Sequence, residues 1–361
     1  MTLDFNKIHN RFRLNGNYFE NHEALKNFAY NLIEEGQLFE KSIGEFLIDW
    51  LDSNEFLYVN TSGSTGKPKQ IKLYKQAMVN SAIATGLFFD LKPGCKVMNC
   101  LPSHYIAGKM MLVRALILGL AIDCVEPATS PVFDYQTFYD FSAMVPLQLE
   151  HSIDKVENIK TIIIGGSKVS KQLLDKIKNS KTSFYETYGV TETATHIALK
   201  LLESISQSGD DFFTTLPNVL VSQDVRACLV INAPKIMDSS IVTNDIVELK
   251  SNTSFKWLGR FDNVINSGGV KLFPEQIEAK LQTIIEERFI VASEPDEQLG
   301  EKLILIIENP SNSVLDLKKQ LKSLQSLAKY EVPKNIYTIN SFIETSTRKI
   351  HRRKTIKSVL G

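Results

Sequence analysis

Residues 58–73 read YVNTSGSTGKPKQIKL: a short apolar entry, then Thr61, Ser62, Gly63, Ser64, Thr65, Gly66 and Lys67, with further lysines at 69 and 72. Such a mixture suits a compact multivalent anion, because glycines expose backbone N–H groups, hydroxyls add donors and lysines add charge. The familiar phosphate loop G-x-x-x-x-G-K-[ST] does not fit, since only two residues separate Gly63 from Gly66 and Lys67 is followed by Pro68. Pro68 also argues against a loop that runs straight into a helix. The stretch therefore reads as a different grip on phosphate, or else as a flexible Ser/Gly turn whose lysines serve solubility.

The surrounding chain narrows the choice. Its 361 residues exceed one ordinary core, so two domains are expected. A formal net charge of zero gives no global electrostatic argument for nucleic acid or anionic membrane, and a small-molecule partner is favoured. Met110 to Val125, the longest strongly apolar stretch, is interrupted by Arg114 and Asp123, so no membrane insertion is expected. The start, MTLDFNKIHNRF, has no apolar segment behind a basic one, which favours a cytoplasmic location. Cys95, Cys100, Cys124 and Cys228 form no C-x-x-C pair and no Cys/His metal spacing, so buried reduced thiols are expected.

Through the first two-thirds, short apolar runs alternate with segments of helical period, the pattern of an α/β domain with buried strands. Strands are expected at Phe56–Val59, Val97–Leu101, Ala121–Val125, Ala143–Val145, Thr161–Ile164, Ser183–Thr187 and Ala227–Ile231, and helices at Ile43–Leu51, Lys75–Phe88, Gly108–Leu118 and Lys171–Lys178. After WLGRFDNVINSGGVKLFPEQIE (257–278) the texture changes. A helix from Pro274 to Ile285, strands at Phe289–Ala292 and Leu303–Ile307, a Lys-rich helix Val314–Leu327 and a strand Ile336–Ile339 make a small α+β unit. The expected division is a large α/β domain over 1–261 and a small mobile domain over 262–361.

The opening stretch also has company along the chain. NTSGSTGKPKQ is followed by LPSHYIAGKMML, IIIGGSKVS, ETYGVTETA, TND at 243–245, the 257–278 segment and TSTRKIHRRK near the C-terminus. In this order the series resembles the adenylate-forming (AMP-binding) enzymes, which include acyl- and aryl-CoA synthetases, peptide-synthetase adenylation domains and luciferases. The resemblance implies that a carboxylate attacks the α-phosphate of ATP with loss of pyrophosphate, and that a thiol then captures the acyl-adenylate. A weak nucleophile and a highly charged leaving group require alignment and charge neutralisation rather than a protein nucleophile.

The same resemblance implies roles for particular residues. Thr61 to Lys69 would cradle the phosphates, although the usual Pro-Lys-Gly exit reads Pro-Lys-Gln at Gln70. In ETYGVTE, Tyr188 falls by the adenine, Gly189 in the nucleotide site, Thr191 on phosphate and Glu192 on Mg²⁺, a hard cation that wants carboxylate oxygen; without its neighbours Glu192 would read as a surface acid. Gly165 and Gly166 end an apolar run and fit backbone passing close to a flat ring, or a simple turn. Asp245 matches the ribose-binding aspartate, with Thr-Asn-Asp in place of the usual Thr-Gly-Asp. Arg260 would reach ribose or phosphate through its planar fork, a surface ion pair being the alternative. Asp262 falls on the family's pivot. Lys349 would enter the site for adenylation, with Arg348 and Lys354 as rivals in the basic tail, and Ser267, Gly268, Gly269 and Lys271 would face it for thioester formation.

His104 and Arg114 bear most on the acid. LPSHYIAG resembles the family's P-x-x-H-x-x-G with one extra residue before Gly108. In the o-succinylbenzoate–CoA ligases of menaquinone (vitamin K2) biosynthesis, a basic residue at the distance of Arg114 after that glycine is a candidate partner for the substrate's second carboxylate. A cation within an apolar helix needs some partner, and a fixed protein acid would serve as well. His104 lines the acyl pocket or packs as a core histidine. The tail and the SGGVKLFPEQIE segment look most like short o-succinylbenzoate–CoA ligases, other aryl- or acyl-CoA ligases and carrier-protein loading enzymes being the alternatives. ATP, Mg²⁺ and coenzyme A follow as cofactor and co-substrates, and a homodimer is open. One departure stands out: the phosphate loop begins near residue 61, where usual members first carry a strand-rich subdomain, and the helix IGEFLIDWL occupies part of that space.

Overall fold

The apolar runs of the first two-thirds assemble in parallel. Side by side lie Ala121–Cys124, Lys96–Asn99, Phe141–Met144, Thr161–Ile164 and Ser183–Gly189. Their side chains are mostly buried on both faces, the usual consequence of helices packing above and below a parallel sheet. The computed structural model describes residues 4–60, 70–203, 205, 209–311, 313–345 and 350–361. Among these, Arg13–Leu14 adds a parallel edge beside Ala121–Cys124, and Asn17–Tyr18 pairs antiparallel outside it.

Beyond Ser183–Gly189 the same sheet continues antiparallel through His196–Leu201, Phe213–Thr215, Ser254–Arg260, Ile241–Ser251, Cys228–Asn232 and Leu220–Gln223, giving thirteen strands. Of these runs only Cys228–Asn232 was expected near its observed place, as Ala227–Ile231, and there Ala227 takes a left-handed φ of 63°, so the strand starts at Cys228. The others escape an apolar-run reading because they carry charge. Lys200 sits in His196–Leu201 opposite Glu186, and Asp245 opposite Arg260. Paired charges let polar sequence enter a sheet that hydrophobicity alone does not mark.

Phe56–Asn60 and Gln70–Tyr74 form a separate two-stranded ribbon, in register from Phe56↔Tyr74 to Asn60↔Gln70. A strand thus follows Pro68, and the helix Lys75–Phe89 begins only afterwards. Upstream lie two helices, His22–Glu35 and Leu38–Leu51. The first, unexpected from sequence, is capped by Asn21, which accepts from Ala24 N at 2.9 Å; the second begins five residues before the expected Ile43, where Glu40 accepts from Gln37 N at 2.8 Å. Gly44 lets them approach, since a Cβ there would lie 2.5 Å from the Ala29 carbonyl oxygen.

Residues 265–360 build a second, five-stranded sheet: Val270–Leu272, Ile265–Ser267, Gly300–Glu308 and Phe289–Asp296 are antiparallel, and Asn335–Ile339 runs parallel to Gly300–Glu308. Along Gly300–Glu308 the faces alternate. Leu303, Leu305 and Ile307 meet the helices Pro274–Leu281 and Val314–Ser323, whereas Ile304 and Ile306 meet Arg352–Leu360. Both earlier helices are shorter than expected. No helix among the described residues is long and apolar enough to cross a membrane.

Candidate active site

Gly165 and Gly166 sit at the carboxyl end of Thr161–Ile164, beside the end of Ser183–Gly189, where ligands of open α/β sheets are usually held. A Cβ on Gly165 would lie 2.6 Å from Thr187 Oγ1, and Gly166 has φ of 90°, so both need the missing side chain. Gly189 is equally restricted: a Cβ there would come 2.5 Å from the Thr195 carbonyl oxygen.

Three expected residues meet directly. Tyr188 donates its hydroxyl to Asp245 Oδ2 at 2.6 Å, and Arg260 Nη1 lies 3.4 Å from Asp245 Oδ1. Asp245 is buried, while Arg260 is half-exposed. Cross-strand register between Asp245 and Arg260 sets this pairing. Burial, reinforced by the Asp245 carboxylate, pushes the Tyr188 phenol far above its ordinary range and keeps it a neutral donor. The ring packs edge-on against Phe255, 5.1 Å between centroids.

Arg114 lies in the middle of the helix Ile106–Leu118 and is 2 % exposed. Its Nη2 donates to Thr195 Oγ1 at 3.3 Å, Nη1 meets only Met111 Sδ at 3.6 Å, and Nε has no partner among the described residues. Burial alone lowers its pKa, to about 10, with no carboxylate among the described residues to oppose it. Thr195 Oγ1 also lies 3.2 Å from His196 Nδ1, and Thr85 Oγ1 is 3.5 Å from His196 Nε2. Desolvation, with the Arg114 charge second, depresses His196 well below the ordinary histidine range, so this ring is neutral at physiological pH.

Sequence reading passed over Thr195 and His196. The available signal was their position directly after ETYGVTETA, with a polar residue at the head of the apolar strand HIALKL. His104 is exposed, its ring 4.2 Å from that of Tyr105, which removes the packed-core alternative. Glu192 is exposed in the short turn Thr191–Thr193. Among the described residues no three acids, histidines or cysteines cluster as a metal site. A lone exposed carboxylate fits Mg²⁺ as one ligand among phosphate oxygens and waters, the manner in which Mg²⁺ accompanies nucleotides.

Asp262 lies in the turn Phe261–Asn263 between the two sheets, 3.5 Å from Arg260 Nη2. Ser267, Gly268, Gly269 and Lys271 form the tip of the hairpin Ile265–Ser267/Val270–Leu272, with Gly268 at φ 57° and Gly269 at φ 82°. Their neighbours are Leu299 and Gly300 of the same sheet. Thr61, Ser62, Gly63, Ser64, Thr65, Gly66, Lys67, Arg348 and Lys349 lie outside the described residues, as does the side chain of Thr191.

Two curated 2-succinylbenzoate–CoA ligases are similar: that of Bacillus cytotoxicus is 24 % identical over 82 % of this chain and 68 % of its own length, and that of Listeria monocytogenes 25 % over 86 % and 71 %. Among solved structures, O-succinylbenzoate coenzyme A synthetase from Bacillus subtilis, in complex with ATP and magnesium ion, shares the fold at TM-score 0.70 and 19 % identity, over 83 % of this chain and 69 % of that one. An AMP-forming acyl-CoA synthetase/AMP-acid ligase II-like protein from Dyadobacter fermentans is 34 % identical over 92 % of this chain and 98 % of its own, at TM-score 0.60. The AMP-binding enzyme profile matches residues 30–219, more than half of the chain, and the chain therefore belongs to the AMP-binding enzyme family.

Proposed function

We propose that the chain is an acid–CoA ligase that activates o-succinylbenzoate as its acyl-adenylate, with release of pyrophosphate, and passes the acyl group to coenzyme A. The observation that carries the choice of acid is Arg114. A guanidinium this buried, with no carboxylate beside it among the described residues, is costly in the free protein and gains most from a substrate with a second carboxylate. One carboxylate of a dicarboxylic acid would be activated while the other meets Arg114, with Thr195 beside it and His104 at the rim.

In this reading Asp245 accepts from the ribose hydroxyls and Arg260 lies on the ribose or phosphate side. Tyr188 orients Asp245 through its hydroxyl and offers its ring to the adenine, beside the bare backbone of Gly165, Gly166 and Gly189. Residues 61–67 and Thr191 hold the phosphates. Glu192 would contribute an oxygen to Mg²⁺, which neutralises phosphate charge when bound. Lys349 serves adenylation, the Ser267–Lys271 hairpin serves thioester formation, and the small domain, residues 262–361, turns about Asp262 between the steps. Supporting this division, the large sheet ends at Arg260 and the second begins at Ile265. A cytoplasmic location and a homodimer complete the proposal.

The test is AMP and pyrophosphate release with ATP, Mg²⁺ and CoA over a panel of mono- and dicarboxylic acids, for the native chain and Arg114→Ala. CoA-dependent AMP formation with o-succinylbenzoate, reduced in the variant chiefly for dicarboxylates, supports the reading. Turnover only with a carrier-protein thiol would reassign the acceptor. Absence of AMP with every acid would refute the ligase.

A further inference from the structure

Arg226 belongs to none of the motifs above, yet its guanidinium reaches the junction between the two sheets. Its Nε donates to Asp224 Oδ2 at 2.8 Å, Nη1 donates to Asn244 Oδ1 at 3.1 Å, and Nη2 donates to the Thr243 carbonyl at 3.3 Å. The same group lies 5.0 Å from the centre of the Phe261 ring. Asn244 in turn directs its amide toward Asp262 Oδ2 at 3.5 Å. Arg226 is itself fixed, because Asp224 Oδ1 also accepts from the backbone N–H groups of Arg226 and Cys228 at 2.8 and 2.9 Å. Both Phe261 and Asp262, the first two residues of the turn between the sheets, are thus tied to one anchored cation, Phe261 by its ring and Asp262 through Asn244.

We infer that Arg226 and Asn244 form a latch that holds the small domain in the observed orientation, and so act as positioning residues for the alternation between the two half-reactions. The inference rests on the proposed pivot at Asp262. Rotation of the backbone at 261–263 has to carry the Phe261 ring off the guanidinium, the Asp262 carboxylate off Asn244, or both. Asp262 also lies 3.5 Å from Arg260 Nη2, but that contact stays in place when Arg226 or Asn244 is changed, so loosening the other two shifts the balance of orientations without altering a side chain assigned to the nucleotide. A half-exposed cation–π contact and a hydrogen bond together correspond to a shift of about tenfold in that balance. Differential stability of this kind is what moves a two-state equilibrium.

The experiment uses the full chain in Cys95→Ser background with spin labels on Lys92→Cys and Lys319→Cys, both exposed, and compares native, Arg226→Ala, Arg226→Lys and Asn244→Ala proteins. Adenylation is followed by pyrophosphate exchange, and thioester formation by transfer from preformed acyl-adenylate to CoA. Expected are a broadened or shifted label distance, a change of about tenfold in the ratio of the two half-reaction rates and an unchanged KM for ATP, with Arg226→Lys intermediate. Asn244→Ala guards against misfolding of Arg226→Ala and should change the ratio in the same direction. Identical distance distributions, or half-reactions reduced equally, overturn the latch. If the native chain performs neither half-reaction the ligase reading fails, and the label distances still decide whether the latch exists.

Discussion

Two guanidiniums, Arg352 partly buried and Arg114 fully so, sit in different parts of this molecule and are satisfied in opposite ways. Against the five-stranded sheet, Arg352 of the C-terminal helix grips both oxygens of Glu278, Nη2 to Oε2 at 2.6 Å, and donates from Nη1 to the Val291 carbonyl at 3.0 Å, while Val291 N donates to Glu278 Oε1 at 2.7 Å. That arrangement is complete: a helix, a strand and the C-terminal helix are pinned at one point. On the helix Ile106–Leu118, Arg114 is more deeply buried yet has a threonine hydroxyl, a thioether and the Phe141 ring beside it, and no carboxylate, among the described residues. A cation answered by a fixed acid is part of the scaffold. A cation left without one is expensive to the fold and useful to a ligand.

The contrast is broken most severely at Arg114. Arg114→Ala should lower kcat/KM for the dicarboxylate by about two orders of magnitude, about 3 kcal/mol, and hardly affect monocarboxylates. Its melting temperature should stay level or rise, because the substitution removes an uncompensated buried charge. A marked loss of stability with no change of substrate preference would show Arg114 to be scaffold after all. Glu278→Ala should do the reverse, costing stability of about 3 kcal/mol in urea unfolding because Arg352 keeps its charge without its acid. Smaller is Tyr188→Phe, which strips one donor from the Asp245 carboxylate. ATP affinity should drop about tenfold by equilibrium dialysis, in line with a hydrogen bond to a charged group. Unaltered affinity would separate Asp245 from the nucleotide.

How much of this was legible in the sequence follows from what each region asks of its residues. The parallel strands ask only for apolar side chains on both faces, and the runs at Val97, Ala121 and Thr161 state that directly. Pro68 and the glycine spacing excluded the common phosphate loop, in keeping with the strand Gln70–Tyr74 that follows. Tyr188, Asp245 and Arg260 lie far apart in the chain, and their motifs identified them, but their contact depends on antiparallel strands whose charged residues hid them from an apolar-run reading. Thr195 and His196 were overlooked for a related reason. A polar residue beside an apolar strand looks like its boundary until the Arg114 helix is packed against it.

His196 sharpens the comparison at the smallest scale, because its charge can be changed without substitution. Its ring is 5 % exposed, and burial together with the Arg114 charge keeps its folded-state pKa well below the ordinary value near 6.5. Below that ordinary value the unfolded chain takes up a proton that the folded chain refuses, so the unfolded state binds more protons and stability falls as pH falls. Above it both states are neutral and the contribution is flat. Between pH 6.5 and 5.5 the native protein should therefore lose about 1 kcal/mol that His196→Gln does not lose, read as the difference of two urea titrations at each pH. A dicarboxylate bound at Arg114 should reduce this slope, since a carboxylate beside the guanidinium offsets the positive charge that His196 feels.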